Sequence, residues 1–321
     1  MNLFSDNFGI AKSDEDIASL QNQFPHYDPG YICQGAANTR QKVKAWMEDL
    51  WKQYEPYADT QFLEDFKRQF AQRSWELYLG TTLINRNLKL GTHKNSGADF
   101  DILSEDGSKR LTWIEAVAVK KGDGTDQVPK TTYGLVVDIP EEKMLLRLAN
   151  ALDKKFKNYQ LQLKSGSVKP TESYVIAIDR SDLEHVDTDA PLILKVLFPI
   201  GDLTIKVPIG EGMPENPETF WSTRTHINKQ SGQGVPMFFF ENHEHAGISA
   251  VIYSKDTILN SPRLSQEMGE NFFIVHNPHA INPLPDNFFP FGAEYKASDG
   301  EVKKIRKLKK YTSPDPFDWI L

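Results

Sequence analysis

The order of hydrophobic and polar residues predicts a helical N-terminal part of the chain. Hydrophobic residues recur at every third or fourth position in residues 38–54 and 61–79, a spacing typical of helices with one buried face. Thr60 is the predicted N-cap of the second helix, and Gly80 its predicted end. Residues 1–37 are polar and interrupted by prolines, so we expect an arm with one short helix there.

Residues 97–122 predict two β-strands joined by a Ser-Glu-Asp-Gly turn, because an Asp-Gly pair between hydrophobic runs favours a tight hairpin. Side chains alternate between the two faces of a strand, so Asp99 and Asp101 share one face of the first strand. Glu115 is the single charge in the run 111–119 of the second strand. A carboxylate in such a run requires a partner, because burying an unpaired charge is costly.

The rest of the chain combines one long helix with several short strands. Residues 141–163 have the helical period, and residues 174–179 form an apolar run typical of a buried central strand. Further strands are predicted at 203–209, 236–241, 248–253 and 272–276. This order predicts an α/β fold with a mixed sheet flanked by helices. Its predicted segments are an N-terminal arm and helix (1–60), an α/β core (61–180) and a β-rich extension packed on the core (181–321).

Asp99, Asp101 and Glu115 come from strands that are expected to be neighbours, so their carboxylates should lie close together. Two carboxylates about 4 Å apart repel each other by roughly 4 kcal/mol at an effective dielectric constant near 20. A divalent cation removes this cost, and ligands that are all oxygen suit Mg²⁺ or Mn²⁺. The acids are therefore a candidate metal site. The simpler alternative is that Glu115 faces solvent or pairs with a lysine.

The composition sets the broad class of the protein. Of 321 residues, 39% are hydrophobic and 25% are charged, as in ordinary globular proteins. Cys33 is the only cysteine, which excludes an internal disulfide and a zinc site built from several thiolates. No apolar run is long enough to span a membrane, and the N-terminus lacks the basic start of a signal peptide. We therefore expect a cytoplasmic protein that has no membrane partner.

The distribution of charge is more informative than the net charge of −7. Residues 143–169 hold seven bases against one acid, and a second basic run occupies residues 303–310. The two runs together predict a surface for a polyanion on an otherwise acidic protein, although each alone is typical of a solvated face. The candidate nucleic-acid-binding residues are Lys120, Lys121, Lys154, Lys157, Lys303, Lys304, Arg306 and Lys307.

Three short pieces of the chain, covering residues 61–179, together resemble the PD-(D/E)XK nuclease superfamily, which has the restriction-endonuclease-like fold. They are Trp75-Glu76-Leu77, Gly97-Ala98-Asp99-Phe100 and Trp113-Ile114-Glu115-Ala116-Val117. The resemblance implies that Asp99 and Glu115 bind Mg²⁺ or Mn²⁺ and that Glu76 adds a third acid. It also implies metal-dependent hydrolysis of phosphodiester bonds in nucleic acid. We expect DNA as the substrate, and the sequence leaves RNA open. A homodimer is compatible with this interpretation.

The chain departs from the superfamily motif at two positions. Ala98 replaces the motif proline, and Val117 stands where the motif has a lysine that helps to activate water. Some members of the superfamily supply this lysine from elsewhere. Lys155 is the best candidate here, because helix geometry places it at the margin of the buried stripe of residues 141–163. Lys120 and Lys121, just after the strand, come next.

Two alternatives remain open at this level. A nuclease-like module without its lysine could bind nucleic acid or a protein partner and catalyse nothing. Histidines offer a different metal site: His243 and His245 share a strand face in the sequence pattern, and His276 and His279 flank an Asn-Pro turn. No third zinc ligand stands out by spacing.

Overall fold

The computed structural model describes residues 1–92, 97–131, 134, 138–185, 187, 191–207, 215, 217–255, 267–298 and 301–306. Within these ranges a large mixed sheet is flanked by helices, which confirms the predicted α/β class. The helices are α1 (Asp14–Gln23), α2 (Pro29–Ala36), α3 (Gln41–Tyr54), α4 (Phe62–Arg68), α5 (Phe70–Asn85), α6 (Glu141–Ser165) and α7 (Leu192–Leu197). None of these helices is both long and apolar enough to cross a membrane.

The large sheet has eight strands in the order β1-β2-β3-β4-β9-β10-β11-β12. The strands of the chain are β1 (Lys89–Leu90), β2 (Phe100–Leu103), β3 (Arg110–Ala118), β4 (Ser173–Asp179), β5 (Ile200–Lys206), β6 (Glu218–Thr223), β7 (His226–Asn228), β8 (Gly234–Pro236), β9 (Ala250–Ser254), β10 (Phe273–His276), β11 (Ala293–Ser298) and β12 (Glu301–Arg306). The pairs β3–β4, β4–β9 and β10–β11 are parallel, and the other neighbours in this sheet are antiparallel. The C-terminal strands β9 to β12 thus continue the sheet that holds the hairpin.

Each face of the sheet carries its own hydrophobic core. Along β4, Ile176 and Ile178 pack toward α6 and α7, whereas Val175 and Ala177 pack toward α3, α4 and α5. All four side chains are buried. This alternation explains why the middle of β4 is continuously apolar in sequence, because a central parallel strand is covered on both faces.

The N-terminal segment differs from the predicted arm with one short helix, because two helices form there. Ser13 and Asp16 make a reciprocal capping box at the start of α1. Asp28 caps α2 by accepting from the Gly30 amide at 2.8 Å, with Pro29 in the first helical position. Phe4 and Tyr31 are buried, so this segment is packed on the rest of the protein.

The predicted helix over 61–79 is two helices, α4 and α5, which meet at Gln69, where the backbone leaves the helical conformation. Thr60 is not the cap, since Gln61 occupies that position without a side-chain bond. Gly80 does not end α5 but lies inside it. A Cβ atom at this position would come within 2.5 Å of the Tyr54 ring, so the glycine permits α3 and α5 to approach each other.

The prediction of a strand over residues 236–241 is wrong. The strand in this region is Gly234–Pro236, which pairs with β7. The residues that follow turn and cap the end of α7. The Phe239 amide donates to the Val196 carbonyl at 3.2 Å, and the Phe240 amide donates to the Leu197 carbonyl at 2.8 Å. These bonds satisfy carbonyl groups that a helix end leaves free.

Candidate functional site

The candidate site lies where β3 loses its neighbour β2. The two strands pair as far as Phe100 and Ile114, so the following residues of β3 face no strand on that side. Side chains therefore provide hydrogen-bond partners for the backbone N–H and C=O groups of this edge. The Ala116 amide donates to Asp99 Oδ2 at 2.7 Å, and Gln72 bridges the Ala116 carbonyl (3.2 Å) and the Ala118 amide (2.8 Å).

Glu76 reaches this edge from α5, and two neighbours on the same helix hold it. Gln72 Nε2 donates to Glu76 Oε1 at 2.8 Å, and Arg73 Nη1 donates to Glu76 Oε2 at 2.7 Å. Arg73 also forms ion pairs with Asp59 and Asp65. Burial raises the pKa of Glu76, and the positive charge of Arg73 opposes this rise.

Glu115 faces the opposite layer, where α6 supplies a cation. Lys155 Nζ lies 2.7 Å from Glu115 Oε1, and both side chains are largely buried. On the second oxygen, Tyr174 donates a hydroxyl bond at 3.3 Å, and Gln162 Nε2 lies 3.5 Å away. Burial works against the charged form of Lys155, but the charges of Glu115, Asp99 and Glu76 raise its pKa above the ordinary value. The lysine therefore stays protonated at neutral pH.

Asp99 lies between the two layers and interacts with charges from both. Desolvation of its carboxyl group by the surrounding protein raises its pKa, and the negative charges of Glu76 and Glu115 raise it further. Lys155 and the Ala116 amide act in the opposite direction. Asp99 is exposed to solvent in a cleft, and the nearby carboxylates of Glu76 and Glu115 hold its pKa above the ordinary value there. The carboxyl group of Asp99 is accessible, which the other two acids are not.

The structure thus places Glu76, Asp99, Glu115 and Lys155 around one strand edge. They are close enough there for their charges to shift the pKa values of Asp99 and Lys155. The three acids do not, however, each place an oxygen within 4.8 Å of the other two. Among the described residues, the group that meets this spacing is His276, Asp286 and Glu294.

Asp101 is separate from the candidate site, contrary to the sequence-based grouping. Its carboxylate accepts from Arg110 Nε at 2.9 Å, and Arg110 also binds Glu172 and lies 3.8 Å over the Trp113 ring. The difference arises because Asp99 precedes β2 and turns to the Ala116 amide, whereas Asp101 lies within the strand ladder.

His276, Asp286 and Glu294 form a group that could hold a metal ion. His276 Nε2 lies 2.6 Å from Glu294 Oε1, and two cations are already close: Arg306 is 3.1 Å from Glu294, and Lys296 is 2.9 Å from Asp286. The zinc hypothesis included His276 but missed both acids, because they lie far from it along the chain. His243 and His279 have their rings 4.5 Å apart, while His245 stacks on a phenylalanine.

The predicted nucleic-acid-binding residues differ in how freely they can contact phosphate. Lys120 and Lys154 are exposed. The others in the described ranges have local interactions: Lys121 with Glu184, Lys157 with Asp153, Lys303 with Glu301, Arg306 with Glu294, and Lys304 over the Tyr295 ring. Lys307 lies outside the described residues.

Sequence analysis missed the side chains that hold the acids in place. Gln72 is four residues before Glu76, and Gln162 is seven residues after Lys155, so both share a helix face with a site residue. Gln162 Oε1, at 2.9 Å, shares the single proton of the Tyr174 hydroxyl with Glu115 Oε2, and Gln162 Nε2 donates to the Gly97 carbonyl at 3.2 Å. The helical spacing of Gln72 from Glu76 and of Gln162 from Lys155 was the sequence signal that could have identified these two glutamines.

Removing the Gln72 side chain should destabilise the protein. In Gln72→Ala, three polar groups lose a partner: the Ala116 carbonyl, the Ala118 amide and a Glu76 oxygen. We expect the free energy of unfolding in urea to fall by about 2–4 kcal/mol, since each unsatisfied group costs roughly 1 kcal/mol or more. Gln160→Ala, at an exposed position of α6, is the control and should change stability by less than about 0.5 kcal/mol. Equal effects would contradict the bridging role.

No protein-family model, curated protein or solved structure matches this chain. Its function therefore has to be inferred from the chemistry of the site.

Proposed function

We propose that the protein hydrolyses phosphodiester bonds in nucleic acid, with DNA as the substrate, and that it uses a divalent metal ion. One observation carries this proposal. Glu76, Asp99 and Glu115 come from a helix, a loop and a strand, and they gather with Lys155 at the open edge of β3. Each acid has a local partner: the Ala116 amide for Asp99, Arg73 for Glu76 and Lys155 for Glu115, the last being the lysine pairing that the simpler alternative expects. A divalent cation would in addition offset the repulsion among the three carboxylates.

The order of the elements supports a restriction-endonuclease-like fold. Glu76 lies on helix α5, Asp99 precedes β2, and Glu115 lies on β3 of the same hairpin. Helix α6 then leads to β4, which pairs in parallel with β3. This is the order in which the PD-(D/E)XK motif presents its residues, with Lys155 in place of the lysine missing at position 117.

The residues fit a hard divalent cation, Mg²⁺ or Mn²⁺. Asp99 and Glu115 offer carboxylate oxygens, and Asp99 is open to the cleft from which an ion and its waters would enter. We assign the direct ligands to these two acids. Glu115 and Glu76 each have partners on both oxygens, so each would bind an ion through a remaining lone pair, and Glu76, which is paired with Arg73, contributes mainly charge.

When bound, the ion would neutralise the phosphodiester and lower the pKa of a water molecule. Lys155, which holds its proton at neutral pH, acts as a hydrogen-bond donor and not as a base. It orients the attacking water and faces the charge that develops on the phosphoryl oxygens. Tyr174 and Gln162 fix the far oxygen of Glu115, so that the carboxylate keeps its direction while Lys155 is engaged.

The direct test is incubation of the purified protein with linear and circular DNA in Mg²⁺, Mn²⁺ or EDTA. The proposal expects cleavage that depends on the metal. The alternative function, a nuclease-like module that binds without cleaving, is favoured by Val117 and by the spacing of the three acids. It expects DNA binding with intact products in every condition.

Mn²⁺ binding should release protons. The raised pKa values of Asp99 and Glu76 mean that the site without metal retains protons which an acid in water would have lost. Metal and proton compete for the same oxygens, so metal affinity should rise as pH increases through these pKa values, by up to about tenfold per pH unit for each proton displaced. Isothermal titration in buffers of different ionisation enthalpy measures the release, which Asp99→Asn should reduce. An affinity that stays the same at every pH at which the protein is folded would contradict the assignment.

A further inference from the structure

A cleft of about 390 Å³ opens beside the candidate site, on the side of the sheet that carries α3, α4 and α5. Asp99 and Glu76 lie in its wall, whereas Glu115 and Lys155 are not among the residues that line it. The volume falls within the usual range for sites that bind small molecules and is sufficient for a nucleoside.

The charge of the cleft determines which part of a nucleotide it can accept. Of the described residues that line it, three are acids, Asp59, Glu76 and Asp99, and one is an arginine, Arg73, which is already paired with Asp59 at 2.9 Å and with Glu76 at 2.7 Å. A phosphate group that is not held by a metal ion at Asp99 would be repelled by these carboxylates. The N–H groups on the edge of a nucleobase are donors, and carboxylates with free lone pairs can accept from them.

Tyr57 provides a surface for such a base. It lies in the wall of the cleft and is half-buried, so part of the ring is accessible. Tyr54, also in the wall, is not free to stack, because its ring packs against Trp51, Phe62 and Phe100. Stacking of bases on aromatic side chains is a common way to bind single strands without sequence preference.

We propose that the cleft receives the base of an unpaired nucleotide next to the bond that is cleaved, with Tyr57 as the stacking surface. This inference rests on the proposed phosphodiester hydrolysis. A base within a duplex is paired and stacked, so it cannot enter a cleft in the protein unless it leaves the helix. The substrate class is therefore DNA with single-stranded or splayed segments, and not continuous duplex.

The experiment compares cleavage in Mn²⁺ of four DNA substrates of one sequence: duplex, single strand, splayed end, and splayed end with abasic nucleotides in the unpaired arm. We expect kcat/KM to be at least about tenfold higher for the unpaired substrates than for the duplex, and removal of the bases to cancel most of this gain. In Tyr57→Leu the ratio of base-containing to abasic cleavage should fall toward one. Tyr57→Trp should restore it.

The outcomes separate the two proposals. Equal cleavage of duplex and unpaired DNA, or a Tyr57→Leu effect that is the same with and without bases, overturns the cleft assignment and leaves metal-dependent hydrolysis standing. Absence of cleavage in all four substrates overturns both. If Tyr57→Leu does not fold, which a thermal melt shows, the ratio measured for Tyr57→Trp and for the wild type decides the matter.

Discussion

Asp99→Asn should abolish metal-dependent DNA cleavage and leave the protein folded. The amide oxygen can still accept from the Ala116 amide, and loss of the negative charge relieves repulsion with Glu76 and Glu115. We therefore expect the melting temperature without metal to stay constant or rise. Cleavage should fall by roughly a thousandfold or more, because a neutral amide is a poor ligand for a hard cation and leaves the phosphodiester charge uncompensated.

Cleavage rates in Mn²⁺ and thermal melts with and without Mn²⁺ test this expectation together. Glu105→Gln, an exposed acid in the turn of the same hairpin, is the matched control and should keep both activity and the stabilisation by Mn²⁺. An Asp99→Asn protein that cleaves DNA as fast as this control would remove Asp99 from the metal site.

Lys155→Met should separate metal binding from catalysis. The ammonium group is 2.7 Å from Glu115 and competes with a metal ion for that carboxylate, so its removal should leave Mn²⁺ affinity unchanged or increased. Turnover should nevertheless fall by roughly a hundred- to a thousandfold, as is typical when a donor to developing charge is lost. Without metal the variant should be less stable, since a buried carboxylate loses its ion pair, and Mn²⁺ should recover much of that loss.

The measurements are single-turnover cleavage and Mn²⁺ titration on the same preparation. Lys42→Met, an exposed lysine on α3, controls for a simple change of net charge. If Lys155→Met weakened Mn²⁺ binding and turnover by the same factor, the lysine would only hold the Glu115 side chain in position. The proposed role in orienting water would then be wrong.

Local patterns in the sequence were sufficient for much of the core. Alternation along the hairpin and the period of α6 predicted where Glu115 and Lys155 lie, and the structure places their charged atoms 2.7 Å apart. Both predictions depend only on regular geometry within one element. The prediction that Gly80 ends its helix was wrong. A glycine is typical of a helix end, but this one lies inside α5 and makes room for the Tyr54 ring of another helix.

Features made by contacts between distant segments were not predictable. Gln72 substitutes for a missing strand at β3, and nothing in its neighbours along the chain indicates that β2 begins too late to cover this edge. Glu294 meets His276 and Arg306 only because β11 lies beside β10 and β12 in the sheet. A single sequence gives the identity of these residues but not the strand order that joins them.

The position of β9 limits how the protein can be divided. Its backbone pairs in parallel with β4 from Val175 to Asp179. Strand β4 therefore lies between β3, which precedes it in the chain, and β9, which belongs to the C-terminal half. A fragment that stops near residue 180 would expose the apolar edge of β4, the kind of surface at which chains associate with one another. Tags and fusion partners are better placed outside the span from the N-terminal helices to β12, because α1 to α5 also belong to the packed core, and truncations should not cut into this span. The two halves are better suited to reassembly as a split pair than to use as separate modules.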